Sequence, residues 1–198
     1  MSLETFNISL FKAINAPITA SHFSIDAAIF IANDVLYLLL LFLLVLWCYG
    51  DLELKKRALK AVVLTAISIG IGFIISLFYD HPRPFVMGVG RTLIHHAPNA
   101  SFPSDHMLIF STIALSYLFS QRKIAGVFLL VLAWMVAWSR VYLGVHFPLD
   151  MLGGFSIALL VNLLAKALWP QWEHAIMAFA LKIYQFFAQP LLKRGWVK

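Results

Sequence analysis

The sequence predicts an all-α integral membrane protein, a bundle of five to six transmembrane helices with interfacial helices at its ends. Three observations carry that prediction. Hydrophobic residues make up 62% of the 198 and charged residues 12%, against roughly 45–50% and 25% in soluble domains. Five apolar stretches approach the ~20 residues that cross a bilayer as a helix: Ala27 to Tyr49, Ala58 to Tyr79, Met107 to Phe119, Ile124 to Trp138 and Leu149 to Trp169. No internal repeat, low-complexity run or linker divides the chain, so residues 1–198 are expected to form one membrane-embedded domain.

The elements follow in order. The opening residues, MSLETFNISLFKAINAP, lack the positive start and continuous apolar core of a secretory signal and are expected to be retained. Leu3, Phe6, Leu10 and Ile14 recur at helical spacing opposite Glu4, Asn7 and Asn15, which suits a short helix lying in the membrane surface before Pro17. The third and fourth spans are short, and cross only if their helices run on through the polar ends SDH and SR at the interface. Gly153 and Gly154 in the fifth span are expected to permit close helix packing. In the terminal stretch EHAIMAFALKIYQFFAQPLLKRGWVK, Lys182 interrupts the apolar run. A charge at mid-bilayer costs roughly 2.5–3.5 kcal/mol on insertion scales, so an interfacial helix is expected there rather than a sixth span. The lone Cys48 can form no internal disulfide.

The formal net charge is +6, yet the basic residues are spread over loops rather than gathered into a surface for reading nucleic acid. Their pattern sets topology instead. Lys55, Lys56, Arg57 and Lys60 lie between the first and second spans, Arg122 and Lys123 between the third and fourth, and Lys193, Arg194 and Lys198 after the fifth. The positive-inside rule makes these regions cytoplasmic, so the segments Asp80 to Asp105 and Ser139 to Pro148 share the opposite face.

Those two segments hold the polar motifs DHPRPF (Asp80 to Phe85), SFPSDH (Ser101 to His106) and SRVYLGVHFPLD (Ser139 to Asp150). Arg83, Arg140, His106, His146, Ser104 and Asp150 are thereby brought to one membrane face. A pair of arginines offers forked donors for phosphate oxygens, and two histidines can supply a nucleophile and a proton donor. His146 precedes Asp150 by four residues, and Pro148 is placed to open the fifth helix. A carboxylate there, bonded to one ring nitrogen, leaves the other with a free lone pair. Ser104 or Asp105 can cap the third span, whose unpaired N–H groups make an anion site that His106 also faces.

These motifs resemble the type 2 phosphatidic acid phosphatase superfamily, and within it the undecaprenyl-diphosphatases of the bacitracin-resistance type. The family pattern is a lysine followed after six residues by Arg-Pro, then Pro-Ser-Gly-His, then Ser-Arg, five residues, His, three residues, Asp. The chain has Arg83-Pro84, Pro103-Ser104-Asp105-His106, and Ser139-Arg140 with His146 and Asp150 at full spacing. It departs at two places. Ser76 stands at the lysine position, and Asp105 at the glycine position, where the bacitracin-resistance subgroup often has aspartate.

The resemblance implies that His146 attacks the terminal phosphorus and becomes phosphohistidine, that Asp150 orients it, and that His106 protonates the departing lipid phosphate and then activates water. It implies that Arg83, Arg140, Ser104 and the backbone at Asp105 hold the phosphate oxygens, with no metal and no other cofactor; a divalent ion at Asp105 stays open. Arg91, with His95 and His96 in the same loop, is expected to hold the second phosphate of a polyprenyl diphosphate at the outer face of a bacterial inner membrane. Two alternatives remain. One is action on phosphatidylglycerol phosphate, phosphatidate or lipid A; the other is a carrier that binds lipid phosphates without chemistry. Oligomeric state is not legible.

Overall fold

The computed structural model describes residues 2–120 and 122–197; Lys198, counted above among the basic residues after the fifth span, lies outside them. Six helices run α1 Leu3–Ile14, α2 His22–Tyr49, α3 Leu52–Phe78, α4 Asp105–Phe119, α5 Lys123–Tyr142 and α6 Pro148–Lys193. Side-chain oxygens start four of them: Ser2, Ser21, Asp51 and Ser104 accept the N–H of Thr5, Ser24, Leu54 and Met107, which satisfies donors that a helix start otherwise leaves unpaired. Four helices, α2, α3, α5 and α6, are long and apolar enough to cross a membrane. The chain is a multi-pass membrane protein.

The third span is α4, and its shortness has a structural reason. It is the hub of the bundle, packed against α3, α5 and α6, and every residue from Met107 to Tyr117 except Ile109 is buried. A helix enclosed by protein need not match the bilayer thickness. Polar side chains tie it to its neighbours: Thr112 Oγ1 donates to Ser68 Oγ of α3 at 2.9 Å, and Asn162 Nδ2 of α6 donates to the Thr112 carbonyl at 3.2 Å. Such bonds link helices where no water competes. Gly154 bears out the close packing expected of it, since a Cβ there would sit 3.0 Å from the Met107 Cβ and 3.1 Å from the Ser104 carbonyl. The absence of a side chain lets α6 cross directly over the start of α4.

One expectation needs correction. The terminal stretch is not a separate element: α6 runs unbroken for 46 residues, through Pro170 and Pro190, about 69 Å at the usual ~1.5 Å rise. A proline removes one donor and crowds the preceding turn, but anchors flank the first one. Trp169 Nε1 donates to Glu173 Oε2 at 3.0 Å, and Lys56 Nζ lies 3.9 Å from Glu173 Oε1. Beyond it the helix packs on the α2–α3 end, with the Tyr184 ring 5.7 Å from Trp47 and 4.5 Å from Lys55 Nζ.

The short N-terminal helix is found as expected, as α1. Its predicted polar face is the one turned into the protein: Asn7 and Phe11 are buried, while Leu3 is 70% and Phe6 46% exposed. The helix remains amphipathic, with its apolar edge outward, as suits a helix at the rim of a lipid layer. Its polar residues have protein partners that sequence periodicity does not reveal.

Candidate active site

The α5–α6 turn carries the central histidine. Gly144 adopts φ +83°, a left-handed conformation that glycine alone takes without steric cost, and the Arg91 carbonyl packs where a Cβ would stand. This reversal aims His146 inward. Pro148 then opens α6 at its first position, and Asp150 closes the start by accepting the Phe147 N–H at 2.7 Å.

His146 is almost completely buried, and its partners decide its tautomer. Nδ1 lies 3.3 Å from Asp150 Oδ2, and Nε2 lies 3.0 Å from Arg83 Nη1. Arginine can only donate, so Nε2 accepts; the ring proton therefore sits on Nδ1 and is given to Asp150. Burial pushes the His146 pKa down to about 4, with Asp150 opposing and Arg83 and Arg140 adding to the depression. The ring is thus neutral at pH 7, with its lone pair on Nε2. Asp150 Oδ2 also accepts from Ser101 Oγ, so one carboxylate oxygen gathers three donors from two separate loops.

Arg83 staples these loops. Nη1 donates to the Val145 carbonyl at 2.9 Å, Nη2 to the Ala100 carbonyl at 3.1 Å, and Nε to Asn99 Oδ1 at 3.0 Å. Burial holds its pKa below the ordinary value, against the pull of Asp150 and Asp105. Arg140, in the last turn of α5, is in the opposite condition. Its residue is only 2% exposed, and its Nε is buried with no hydrogen-bond partner among the described residues. Asp105 is its acidic electrostatic neighbour, but a desolvated guanidinium with an unbonded N–H is costly, and an oxyanion is the ligand that would relieve it.

His106 occupies the first turn of α4, half-buried, with Arg140, His146, His96 and Arg83 as its electrostatic neighbours. Ser104 is fully buried; its hydroxyl caps Met107 N at 3.5 Å, and its N–H donates to the Asp150 carbonyl at 3.3 Å. Asp105 is exposed and interacts electrostatically with Arg83 and Arg140. The start of α4 and the start of α6 therefore meet at one place.

His146, His106, Asp150, Arg83, Arg140, Ser104 and Asp105 come together. Arg91 does not join them: its Nη1 donates to the Pro17 carbonyl at 3.0 Å and its N–H to Asn15 Oδ1 at 2.7 Å. From the same loop His96 does face the cluster, its ring 6.0 Å from that of His146. Ser76 supplies no substitute for the missing lysine, since its hydroxyl bonds back to the Phe73 carbonyl at 2.8 Å. The sequence reading missed Ser101. Its only sequence signal was a position in SFPSDH, two residues before the proline.

A neutral imidazole with a fixed lone pair, a carboxylate behind it, a second imidazole and a guanidinium with an unbonded Nε are the groups that nucleophilic attack on a phosphorus centre would need. Comparison with known proteins agrees in class: the chain belongs to the PAP2 superfamily, whose model matches residues 57–175. Undecaprenyl-diphosphatase BcrC of Bacillus subtilis (strain 168) is 35% identical over 160 residues, 80% of this chain and 81% of that one. The protein named "Putative undecaprenyl-diphosphatase YbjG" of Escherichia coli (strain K12) is 39% identical over 197 residues, 99% of each chain. Among solved structures, LpxE of Aquifex aeolicus shares the fold, with a TM-score of 0.67 at 23% identity, covering 84% of this chain and 99% of that one.

Proposed function

We propose that this protein hydrolyses undecaprenyl diphosphate to undecaprenyl phosphate and inorganic phosphate through a phosphohistidine on His146. The observation that carries the chemistry is the fixed tautomer: Arg83 and Asp150 together leave Nε2 as the only unprotonated ring nitrogen. The substrate assignment draws on the two relatives similar over most of the chain.

Nε2 attacks the terminal phosphorus, and the bond from that phosphorus to the bridging oxygen breaks. His106, which must enter the step protonated with the bound phosphate's negative charge supporting its extra proton, gives that proton to the departing lipid phosphate and becomes neutral. The neutral His106 then takes a proton from water as the oxygen attacks the phosphohistidine; the P–N bond breaks, phosphate leaves and His146 returns to its neutral form. Asp150 balances the positive ring that exists between the two steps. Arg140, Arg83, Ser104 and the backbone N–H of Asp105 hold the equatorial oxygens as charge redistributes. Arg91, committed to Pro17, takes no part in this scheme. The product is the carrier lipid returned for cell-wall synthesis, and overproduction would relieve bacitracin, which sequesters the diphosphate. The site faces the periplasmic side of a bacterial inner membrane, on the count of lysines and arginines.

The same cluster could act on a monophosphate lipid, and one observation favours that second reading. Phosphatidylglycerophosphatase B of Bacillus subtilis (strain 168) is 41% identical over 81 residues, though this is only 36% of the chain. The deciding experiment is kcat/KM of the purified protein for undecaprenyl diphosphate, phosphatidate and phosphatidylglycerol phosphate, in wild type and His146→Ala. The diphosphate should lead, and the variant should be inactive on all three. Equal turnover of the monophosphate lipids would favour the second reading, and an active His146→Ala would remove the covalent scheme.

A further inference from the structure

The N-terminal helix lies outside the segment matched by the family model, yet its buried face reaches the catalytic pair at several points. Asn7, buried among its neighbours, accepts the N–H of Leu149 at 3.1 Å through Oδ1. Leu149 is the residue before Asp150 and the second residue of α6. The N-cap Phe147 has no side-chain oxygen of its own, so the start of α6 is capped partly by Asp150 and partly by a side chain 142 residues away.

One turn on, the Phe11 ring packs edge-on against Phe147 at 5.2 Å between centroids. The other side of Phe147 meets His81 at 5.5 Å, and His81 Nε2 lies 3.3 Å from Glu4 Oε2 on α1. The His81 carbonyl accepts the N–H of Ser101, the residue whose hydroxyl donates to Asp150. Glu4, Asn7 and Phe11 thus converge on residues 147–150 by three routes.

We infer that α1 is part of the catalytic apparatus and that Asn7 is a positioning residue for the His146–Asp150 pair. This rests on the reading of that pair as nucleophile and orienting base. Asn7 touches neither substrate nor the reacting atoms. It fixes the backbone that sets where the Asp150 carboxylate stands, and so acts on the chemical step rather than on binding.

The choice of variant follows from the surroundings. Beside Asn7 lies a cavity of about 390 Å³, which Glu4, His81, Leu149 and Asp150 also line. A shortened side chain would admit water to take over its bond, so the informative change is Asn7→Leu, which fills the same space without an acceptor. Asn7→Asp keeps the acceptor, and a negative charge suits a helix start. In purified folded protein, Asn7→Leu should lower kcat about tenfold with KM within about twofold, and Asn7→Asp should recover most of kcat. If Asn7→Leu yields no folded protein, Asn7→Ala is read in the same way, with an expected loss of about threefold. An unchanged kcat in the variant that is read, or an Asn7→Asp as impaired as Asn7→Leu, overturns the inference. An active His146→Ala would instead overturn the reading it rests on, so the two failures are distinct.

Discussion

Asp150→Asn separates charge from geometry at this site. A carboxylate holding a histidine usually does both jobs at once, and an amide in its place often reverses the ring's tautomer. Here Oδ2 alone takes the bonds from Phe147 N, Ser101 Oγ and His146 Nδ1. An asparagine can set its carbonyl oxygen at that position, keep all three donors and leave the ring proton on Nδ1. Only the negative charge is lost. Two unit charges 3.3 Å apart attract by about 5 kcal/mol at an effective dielectric of ~20. A ring half-charged in the transition state draws on about half of that, so kcat should fall by about 70-fold. Phosphate release from undecaprenyl diphosphate by purified enzyme reads this directly, beside His146→Ala as the inactive reference. Activity within twofold of wild type would mean that the charge does no catalytic work. Activity as low as His146→Ala would mean that the tautomer, not the charge, was lost, and that the three-donor geometry does not survive the exchange.

Other outcomes follow from the same contacts. Arg140→Leu removes a buried charge whose Nε has no hydrogen-bond partner among the described residues, so it should raise the melting temperature by a few degrees while lowering kcat/KM at least a hundredfold; inorganic phosphate should stabilise wild type against heat and leave the variant unmoved. His146 has its folded pKa pushed down to about 4, below the ~6.5 of an unfolded chain. Its contribution to stability is therefore full above pH 6.5 and is lost as pH falls toward 4, a change of about 3 kcal/mol, and His146→Gln should flatten the melting temperature over that window. The acid limb of kcat/KM set by the nucleophile should likewise lie near pH 4 rather than 6.5. With Cys48 replaced, a cysteine at exposed Thr92 should react with an impermeant thiol reagent on intact cells and one at exposed Lys123 should not; the reverse pattern would put the site in the cytoplasm.

What the sequence revealed and what it hid divide along a physical line. His146 and Asp150 stand four residues apart at the start of one helix, so their contact is written in local spacing, and so is the cap at Ser104. Arg83 and Arg140 were legible because the apolar spans force their loops to the same end. Contacts between distant segments leave no such trace. Ser101 meets Asp150 across 49 residues and Asn7 meets Leu149 across 142, and nothing in either neighbourhood announces the partner. Periodicity correctly found an amphipathic α1, but it cannot tell which face is turned to protein, and the polar side proved to be the inner one. Arg91 was assigned to substrate on charge and location alone. The turn at Gly144 instead brings the Arg91 backbone against the α5–α6 reversal, while its guanidinium reaches back to Pro17.

The long separations also bear on the order of synthesis. Asn7 and Asn15 leave the ribosome early, but Tyr142 and Leu149, to which they bond, emerge only at the end of the fourth span and beyond it. Until then α1 has only His81 and Arg91 to hold it, through Glu4 and Asn15, and its outward Leu3 and Phe6 suit it to wait on the lipid. Ser101 and Asp150 likewise stay apart until the start of the last helix is in place. A nascent chain therefore carries its histidine without orientation, and the capacity to cleave a lipid diphosphate would arise only when insertion is complete. The helix made first is the one docked last.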